Sequence, residues 1–383
     1  MVNEDIGTLD EIFSLRAANP PVSLAEFMKL QKAKTILLYG AGAFGSENCS
    51  MFQRYGIRPF AFLDRNAKPD MQKLGIPVYH PDDPQLSREF RQECQVYISI
   101  TLPKRNMDAI RNDLSRWGYR SVEPVQYITA RQVCFDDSKQ ENPNKEYFRS
   151  RRNRMETALE LMGDTESRMT FLSSVRGHLL RDYRGCVETE HPCQYFDAGV
   201  TLPKGLECFV DCGAYTGDSL ETILRYRDSL DTYIAFEPII DNFTALSKTA
   251  DKLAGRIGSA FLYPCGVSDH TGVDRFSISA SSSTIDENGE LLPIVKIDDV
   301  IKNVAVTFLK MDIEGSEPMA LRGAENLLQQ HRPDLAISVY HAANHFWDIP
   351  CMLHEIVPEY KFYLRAHTPA SLESVLYCSC GRE

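Results

Sequence analysis

The sequence predicts an α/β protein with two open, mostly parallel Rossmann-like sheets. Two observations support this prediction. At residues 35–45 and again at residues 207–217, a short apolar run leads directly into a glycine-containing turn. After each turn, further apolar runs alternate with helical patterns, and this alternation is typical of a parallel sheet covered by helices. The length of 383 residues agrees with two domains.

The first domain is predicted at residues 30–128. Its first strand is the apolar run TILLY, which the sequence GAGAFG and a helix follow. Strands are expected again at residues 59–64 and 95–101, and a helix is expected to begin at Pro103.

The glycines of this domain suggest a nucleotide site. Gly40, Gly42 and Gly45 match the pattern Gly-x-Gly-x-x-Gly between a strand and a helix, and Asp64 ends the next strand. The pattern predicts a bound nucleotide, nucleotide-sugar or NAD, and a structural or substrate-docking role remains the alternative. A linker with connecting helices is expected at residues 129–190, because residues 136–146 are polar and contain a proline.

The second domain is predicted at residues 191–383. Its strands are expected at the following apolar runs: ECFVD, TYIAFEP, GSAFLYPCGVS, VTFLKMD and DLAISVYH, with KFYLRAH and SVLYC as a closing antiparallel pair. In an open parallel sheet, ligands bind at the carboxyl ends of the strands. Candidate residues are therefore sought at those ends.

A cofactor site is predicted after the first two of these strands. Asp211 ends a buried strand and could bind a cationic amino group, while Gly213 and Gly217 bracket a tight turn where a Cβ would block a ligand. Glu237 ends the next strand, where an acidic side chain accepts the hydroxyls of a ribose. Tyr215 could lie against the ligand, since an aromatic face favours a sulfonium cation.

A catalytic centre is predicted where the later strands end. The segment LKMDIEGSE places Asp312 and Glu314 beside an apolar strand, and so many charges there are costly unless they line a site. His341, at the end of the strand VYH, is expected to be neutral near pH 7 and to act as a general base. Asp312 could orient this histidine or the acceptor hydroxyl, or could serve as the base itself. An acidic pair could hold Mg²⁺ instead, but the spacing is weak evidence and no metal is predicted.

Taken together, the segments DCGAYTGD, AFEP, GVSD, LKMDIEGSEPMALRGA and RPDLAISVYH resemble the FkbM family of methyltransferases over residues 190–380. The resemblance implies a class I methyltransferase fold, S-adenosylmethionine as the cofactor, and O-methylation of a hydroxyl on a sugar or related small molecule. It also implies that Ser268 and Asp269 lie near the adenine. Many members have Asn at the position of Tyr215, so the methionine pocket of this chain differs in shape.

The composition excludes several other classes. The net charge of −11 argues against nucleic acid as a partner, and no apolar run is long enough to span a membrane. The 11 cysteines lack metal-ligand spacing, and Cys208 and Cys265 lie in apolar runs as core residues do. An acidic N-terminus and unpaired cysteines suggest a cytoplasmic protein, and the oligomeric state is left open.

The leading hypothesis is therefore an S-adenosylmethionine-dependent methyltransferase that acts on a small-molecule or glycan hydroxyl. One rival is an NAD(P)-dependent oxidoreductase that uses the N-terminal glycine loop. The other is a non-enzymatic protein that binds a ligand in either domain.

Overall fold

The computed structural model divides the chain into two compact units, each built from more than one stretch of sequence. The first comprises Met1–Ser150, Leu172–Glu190 and Ala366–Leu372, and the second comprises Arg151–Phe171, His191–Arg365 and Glu373–Glu383. The structure describes residues 7–15, 24–100, 104–134, 145–191, 193–196, 199–278, 283–285 and 289–381. Most of the predicted linker at residues 136–146 therefore lies outside the described residues.

The first unit contains a six-stranded sheet. Its strands are β1 (Ile36–Tyr39), β2 (Ala61–Leu63), β3 (Gln72–Lys73), β4 (Ile76–Tyr79), β5 (Gln95–Ile98) and β6 (Ser121–Pro124). Their order is β3-β4-β2-β1-β5-β6, and every neighbouring pair is parallel except β3 and β4. Without β3, this is the order of a doubly wound Rossmann sheet.

Helices cover both faces of this sheet, so β1 and β5 are buried along their whole length. The helices are α1 (Leu9–Ser14), α2 (Leu24–Gln31), α3 (Ala43–Arg54), α4 (Arg88–Glu93), α5 (Lys104–Arg116), α6 (Gln126–Cys134) and α7 (Lys145–Ser150). Separate apolar clusters form on the two faces, one around Phe52 and Phe62 and the other around Leu37 and Val96.

The second unit is built on a seven-stranded sheet. Its strands are β7 (Cys208–Cys212), β8 (Leu230–Phe236), β9 (Ile257–Tyr263), β14 (Phe308–Met311), β15 (Asp334–Ser338), β16 (Lys361–Ala366) and β17 (Ser374–Ser379). The order is β16-β17-β15-β14-β7-β8-β9; β7, β8, β9, β14 and β15 are mutually parallel, and β17 is antiparallel to β15. The carboxyl ends of the five parallel strands therefore lie along one rim.

The segment between β9 and β14 forms a smaller four-stranded sheet. It comprises β10 (Gly266–Ser268), β11 (Gly272–Ile278), β12 (Ser283–Ile285) and β13 (Glu290–Lys296). The order is β10-β13-β11-β12, with β11 antiparallel to both β12 and β13. The predicted strand at residues 258–268 is thus two strands in different sheets, β9 and β10.

The helices of the second unit pack on the large sheet. They are α8 (Arg152–Leu161), α10 (Asp218–Tyr226), α11 (Ile240–Leu253), α12 (Ile297–Val300), α13 (Glu317–Arg322), α14 (Glu325–His331) and α15 (His345–Ile356), while α9 (Thr165–Leu180) is divided between the two units. The core contains Phe209, Tyr233, Phe308 and Tyr377.

The predicted α/β class with open, mostly parallel sheets is confirmed. Cys208 and Cys265, predicted as core residues, are buried. Within the part of the chain that the structure describes, no helix combines the length and the apolar character needed to cross a membrane.

Candidate active site

A cavity of about 340 Å³ opens at the carboxyl ends of β7, β8 and β14 in the second unit. This volume lies within the range of roughly 300–1,000 Å³ that small-molecule sites occupy. Its walls include two groups of polar or aromatic residues. The first group comes from residues 213–242 and comprises Gly213, Tyr215, Asp218, Phe236, Glu237 and Asn242. The second comes from other parts of the chain and comprises Gln194, Tyr195, Lys310, Asp312, Glu314 and Glu373.

The glycine turn after β7 is required by backbone packing. Gly213 has a φ of +79°, and a Cβ there would lie 1.9 Å from the carbonyl oxygen of Asp312 on the neighbouring strand. Gly217 has a φ of +89°, and its Cβ would lie 2.9 Å from the side chain of Thr249. The predicted clearance for a ligand at these two glycines stays a prediction.

Glu237 lies at the end of β8, as predicted, and forms part of the cavity wall while being only 5% exposed. One carboxylate oxygen accepts a hydrogen bond from the backbone N–H of Tyr215, and the other accepts one from Ile239, each at 2.9 Å. Burial raises the pKa of Glu237, although these two N–H groups oppose the shift. Each oxygen of an ionised carboxylate can still accept another hydrogen bond.

Asp211 is fully buried behind the cavity wall, and its predicted contact with a ligand stays a prediction. Its Oδ1 lies 3.1 Å from Nζ of Lys310, and its Oδ2 accepts a hydrogen bond from the Tyr233 hydroxyl at 3.1 Å. Burial raises the pKa of Asp211 to about 6, against the opposing effect of Lys310. Burial alone would lower the pKa of Lys310, but Asp211 and Asp312 outweigh that effect and raise it. The two side chains are therefore an ion pair at neutral pH.

Lys310, rather than Asp211, reaches the cavity. Its Nζ also donates a hydrogen bond to the carbonyl oxygen of Gly213 at 2.6 Å and lies 5.3 Å from the centre of the Tyr195 ring. The lysine thereby fastens the glycine turn after β7 to the neighbouring strand β14.

Ser268 and Asp269 are not part of the cavity wall, whereas the adjoining residues Gly266 and Val267 are. Ser268 is buried at the end of β10, and Asp269 pairs with His270 at 2.9 Å. Their predicted position near an adenine stays a prediction, with Gly266 and Val267 as the cavity residues of that segment.

Asp312 is held in the cavity wall by two tyrosines. The hydroxyl of Tyr195 donates a hydrogen bond to its Oδ2 at 2.9 Å, and the hydroxyl of Tyr340 donates to its Oδ1 at 3.4 Å. Its position directly after β14 agrees with the sequence prediction. Glu314 follows in a tight turn with a φ of +57°, and about a third of its side-chain surface is exposed.

His341 lies among carboxylates, and this changes its expected protonation. Its Nδ1 is 2.8 Å from Oε1 of the fully buried Glu317, and its Nε2 is 3.4 Å from Asp312 and 3.5 Å from Glu314. Burial alone would lower the pKa of His341, but Glu317, Asp312 and Glu314 outweigh burial and raise it to about 10. Burial would raise the pKa of Glu317, yet His341 and His345 lower it to about 2.

The premise of a neutral His341 that accepts a proton near pH 7 therefore does not agree with its surroundings. An imidazolium ring has no free lone pair, so it orients and balances the carboxylates instead. The strand prediction also needs correction, because β15 ends at Ser338 and His341 lies in the segment after it.

Gln194, Tyr195 and Glu373 are among the cavity residues that the sequence did not predict. The Gln194 amide donates hydrogen bonds to Glu373 at 2.8 Å and to the Tyr195 hydroxyl at 3.0 Å. Burial and the charge of Asp312 raise the pKa of Glu373 to about 7. No motif marks these residues, since they reach the cavity from segments before β7 and directly before β17.

In the first unit, the predicted nucleotide loop connects β1 with α3. Gly45 allows a close approach within the loop, because a Cβ there would lie 2.0 Å from the carbonyl oxygen of Gly40. A Cβ on Gly42 would have no atom within 4 Å. Asp64 accepts hydrogen bonds from the backbone N–H groups of Ala41 at 3.1 Å and Asn66 at 2.8 Å, so it secures the loop. Nucleotide binding here stays a prediction.

The second unit has the architecture of a class I methyltransferase. Numbered within the unit, its strands follow the order 3-2-1-4-5-7-6 with strand 7 antiparallel, and the cavity lies at the ends of strands 1, 2 and 4. A glycine turn after strand 1 and an acidic residue after strand 2 complete this arrangement.

Comparison with known proteins agrees with this class. Residues 211–368 match the family model of the methyltransferase FkbM domain. The chain is also similar to the solved structure of methyltransferase FkbM from Methylobacillus flagellatus KT. The two are 22% identical, the match covers 97% of this chain and 95% of that chain, and the TM-score is 0.65, which shows a common fold. No curated protein sequence matches the chain.

Proposed function

We propose that this methyltransferase transfers a methyl group from S-adenosylmethionine to a hydroxyl oxygen of a neutral, polyhydroxylated small molecule such as a sugar. The observation that carries the proposal is the buried carboxylate of Glu237 in the wall of a cavity whose other end is bordered by Asp312, Glu314 and Glu373. One end is suited to a ribose, and the other is suited to an acceptor with several hydroxyl groups.

The residues of the cavity fit the cofactor by charge as well as by hydrogen bonding. S-adenosylmethionine carries a sulfonium and an ammonium group against one carboxylate, so its net charge is positive. The side chains of Asp218, Glu237, Asp312 and Glu314 supply negative charge around the cavity. Glu237 would hold the ribose hydroxyls, and the aromatic faces of Tyr215 and Phe236 would border the sulfonium side.

The acceptor end favours hydroxyl groups over anions. Three carboxylates and the Gln194 amide form this end, and carboxylates accept hydrogen bonds from hydroxyls while repelling phosphate or carboxylate groups. A sugar presents several hydroxyl donors at once. This preference supports a carbohydrate acceptor in place of a phosphorylated one.

When bound, S-adenosylmethionine supplies an electrophilic methyl group on a positively charged sulfur. The chain's residues then have two tasks: to align the acceptor oxygen with the methyl carbon, and to take the hydroxyl proton as the new bond forms. Asp312 is fixed by Tyr195 and Tyr340 and is suited to the first task. Glu373 is suited to the second, because it lies half-buried in the same wall and its pKa is raised to about 7.

The proposal is tested by incubating the purified protein with S-adenosylmethionine and a panel of sugars and nucleotide sugars, and by measuring S-adenosylhomocysteine and methylated product by mass spectrometry. Turnover is expected with a neutral sugar. Phosphorylated forms of that sugar, which differ only in charge, are the matched comparison. Calorimetry that finds no S-adenosylmethionine binding at millimolar concentration would overturn the proposal.

A further inference from the structure

One buried nitrogen lies beside two carboxylates of the cavity wall without a hydrogen bond to either. Nε2 of His341 lies 3.4 Å from Oδ1 of Asp312 and 3.5 Å from Oε2 of Glu314. The His341 side chain is 5% exposed, and among the described residues Nε2 has no hydrogen-bond partner. A buried polar atom in that state is costly unless something else occupies the space before it.

The separations agree with those of atoms bound to one metal ion. With bonds of about 2.1 Å to nitrogen and oxygen, two ligands of a tetrahedral ion lie about 3.4 Å apart. Asp312, Glu317 and His341 also form a cluster in which one ligand atom from each lies within 4.8 Å of the others. Three carboxylates surround the ring, whose charge when doubly protonated is only +1. A divalent cation at Nε2, in place of the proton on that nitrogen, would balance more of their negative charge.

Glu317 has the position of the residue that orients a ligating histidine. It is fully buried, and its Oε1 lies 2.8 Å from Nδ1 of His341 and accepts a hydrogen bond from the backbone N–H of Ile313 at 3.0 Å. In metal sites, a carboxylate on one ring nitrogen commonly fixes the ring so that the other nitrogen faces the metal. Glu317 is thus a positioning residue, and Nε2 is left for a ligand.

We propose that the second unit binds a divalent first-row metal ion, with Nε2 of His341 and the carboxylates of Asp312 and Glu314 as its ligands. One imidazole and two carboxylates suit ions such as Mn²⁺ better than Mg²⁺ or Ca²⁺, which prefer oxygen alone. Asp312 and Glu314 also line the cavity. The role of the metal rests on the proposed function: it binds the acceptor hydroxyl and makes its proton easier to remove.

Binding is tested on the full chain without S-adenosylmethionine, by titrating Mn²⁺ and following the loss of the free-ion signal in electron paramagnetic resonance. The wild-type protein is expected to bind one Mn²⁺. Glu314→Gln and Asp312→Asn are expected to weaken binding by at least about tenfold, because each removes a charged ligand. Asp251→Asn, which removes a carboxylate from α11 outside the cavity, is the matched control and is expected to bind as the wild type does.

Because about a third of the Glu314 side chain is exposed, Glu314→Gln is expected to fold as the wild type does. Thermal denaturation checks that all the variants are folded. The proposal is overturned by absence of Mn²⁺ binding to the wild type, by unchanged binding in both ligand variants, or by an equal loss in Asp251→Asn. S-adenosylmethionine binding is measured separately by calorimetry. If it fails while Mn²⁺ binds, the proposed function is overturned and the metal site stands.

Discussion

At the scale of single residues, the cavity contains a charged group that is almost completely buried. The ammonium group of Lys310 lies between the carboxylate of Asp211 and the carbonyl oxygen of Gly213, and both side chains of the pair are almost completely buried. Burying two charges costs several kcal/mol per ion, and their attraction offsets that cost only while both are present. Removal of one partner is therefore more harmful than removal of both.

Lys310→Met is expected to lower the free energy of unfolding by about 3–5 kcal/mol, because it leaves the buried Asp211 without its counter-ion, so that this carboxyl is either charged in apolar surroundings or must take up a proton. The measurement is denaturant unfolding at pH 7.5. The double variant Asp211→Leu with Lys310→Met is expected to recover most of the loss. Lys302→Met, at an exposed position, is the control. Equal stability of the Lys310 variant and the wild type would show that the pair contributes nothing.

Glu237→Ala is expected to weaken S-adenosylmethionine binding by about 1–3 kcal/mol, because it removes the carboxylate proposed to accept the ribose hydroxyls. Calorimetry measures the dissociation constant. Glu325→Ala, on the outer helix α14, removes an equal charge outside the cavity and is expected to have no effect. Wild-type affinity in a folded Glu237 variant would exclude the ribose assignment.

The positions of site residues were predictable from the sequence where these residues directly follow a strand. Glu237 and Asp312 each follow a buried apolar run, and the rule that ligands bind at carboxyl strand ends placed both in one site. The protonation of His341 was not predictable, because it depends on Glu317 and Glu314 folding against the ring. Tyr195 and Glu373 carry no local signal, since only the three-dimensional fold brings them to Asp312 and Gln194.

At the scale of elements, the turn after β7 determines the shape of the cavity. A Cβ on Gly213 would lie 1.9 Å from the carbonyl oxygen of Asp312, which directly follows the neighbouring strand β14. The φ of +79° at Gly213 is also a conformation that residues with a Cβ rarely adopt. The turn thus depends on one glycine for two separate reasons.

Gly213→Ala is expected to destabilise the protein by at least about 2 kcal/mol, from the unfavourable φ and from the contact of the new Cβ with a carbonyl oxygen. Gly255→Ala is the control, because a Cβ there has no neighbour within 4 Å and its φ is not positive. Thermal and denaturant unfolding measure both variants. A Gly213 variant as stable as the Gly255 variant would show that the turn can shift without cost.

Element prediction succeeded for the strands buried on both faces and failed for β13. The runs at β7, β8, β14 and β15 are continuous and apolar, as helix-covered parallel strands require. By contrast, β13 is largely exposed and contains a proline, so it has no such run. The predicted strand at residues 258–268 ended early because Pro264 follows Tyr263 and lacks the N–H that would continue a ladder.

At the scale of the whole molecule, two strand–turn–helix beginnings were enough to predict two sheets. Strand order was not predictable in the same way, because it depends on contacts between distant segments such as the antiparallel pairing of β17 with β15. Each compact unit is also built from separate stretches of chain, because segments that are distant in the sequence contact one another. Local sequence patterns identify helices and strands, whereas the way these elements assemble depends on which apolar faces pack together.

Assembly also buries a titratable group that makes stability depend on pH. His178, on α9, belongs to the part of the first unit at residues 172–190, and its Nδ1 lies 3.3 Å from the Tyr183 hydroxyl. Burial disfavours the charged ring and lowers its pKa to about 3. In the unfolded chain, histidine has a pKa of about 6.5. The unfolded state therefore binds a proton first as the pH falls.

The contribution of a neutral, buried His178 to stability is accordingly complete above pH 6.5 and is lost progressively as the pH falls toward 3. His178→Gln has no such proton to bind. The difference between the unfolding free energies of the wild type and this variant is expected to shift against the wild type by about 2 kcal/mol between pH 7.5 and pH 5, at about 1.4 kcal/mol per pH unit below 6.5. Denaturant unfolding at several pH values measures this difference.

His331→Gln, at a partly exposed position, is the control and is expected to follow the wild type. If the His178 variant and the wild type lose stability in parallel, the ring is accessible to protons in the folded state and does not have the buried, neutral character assigned to it.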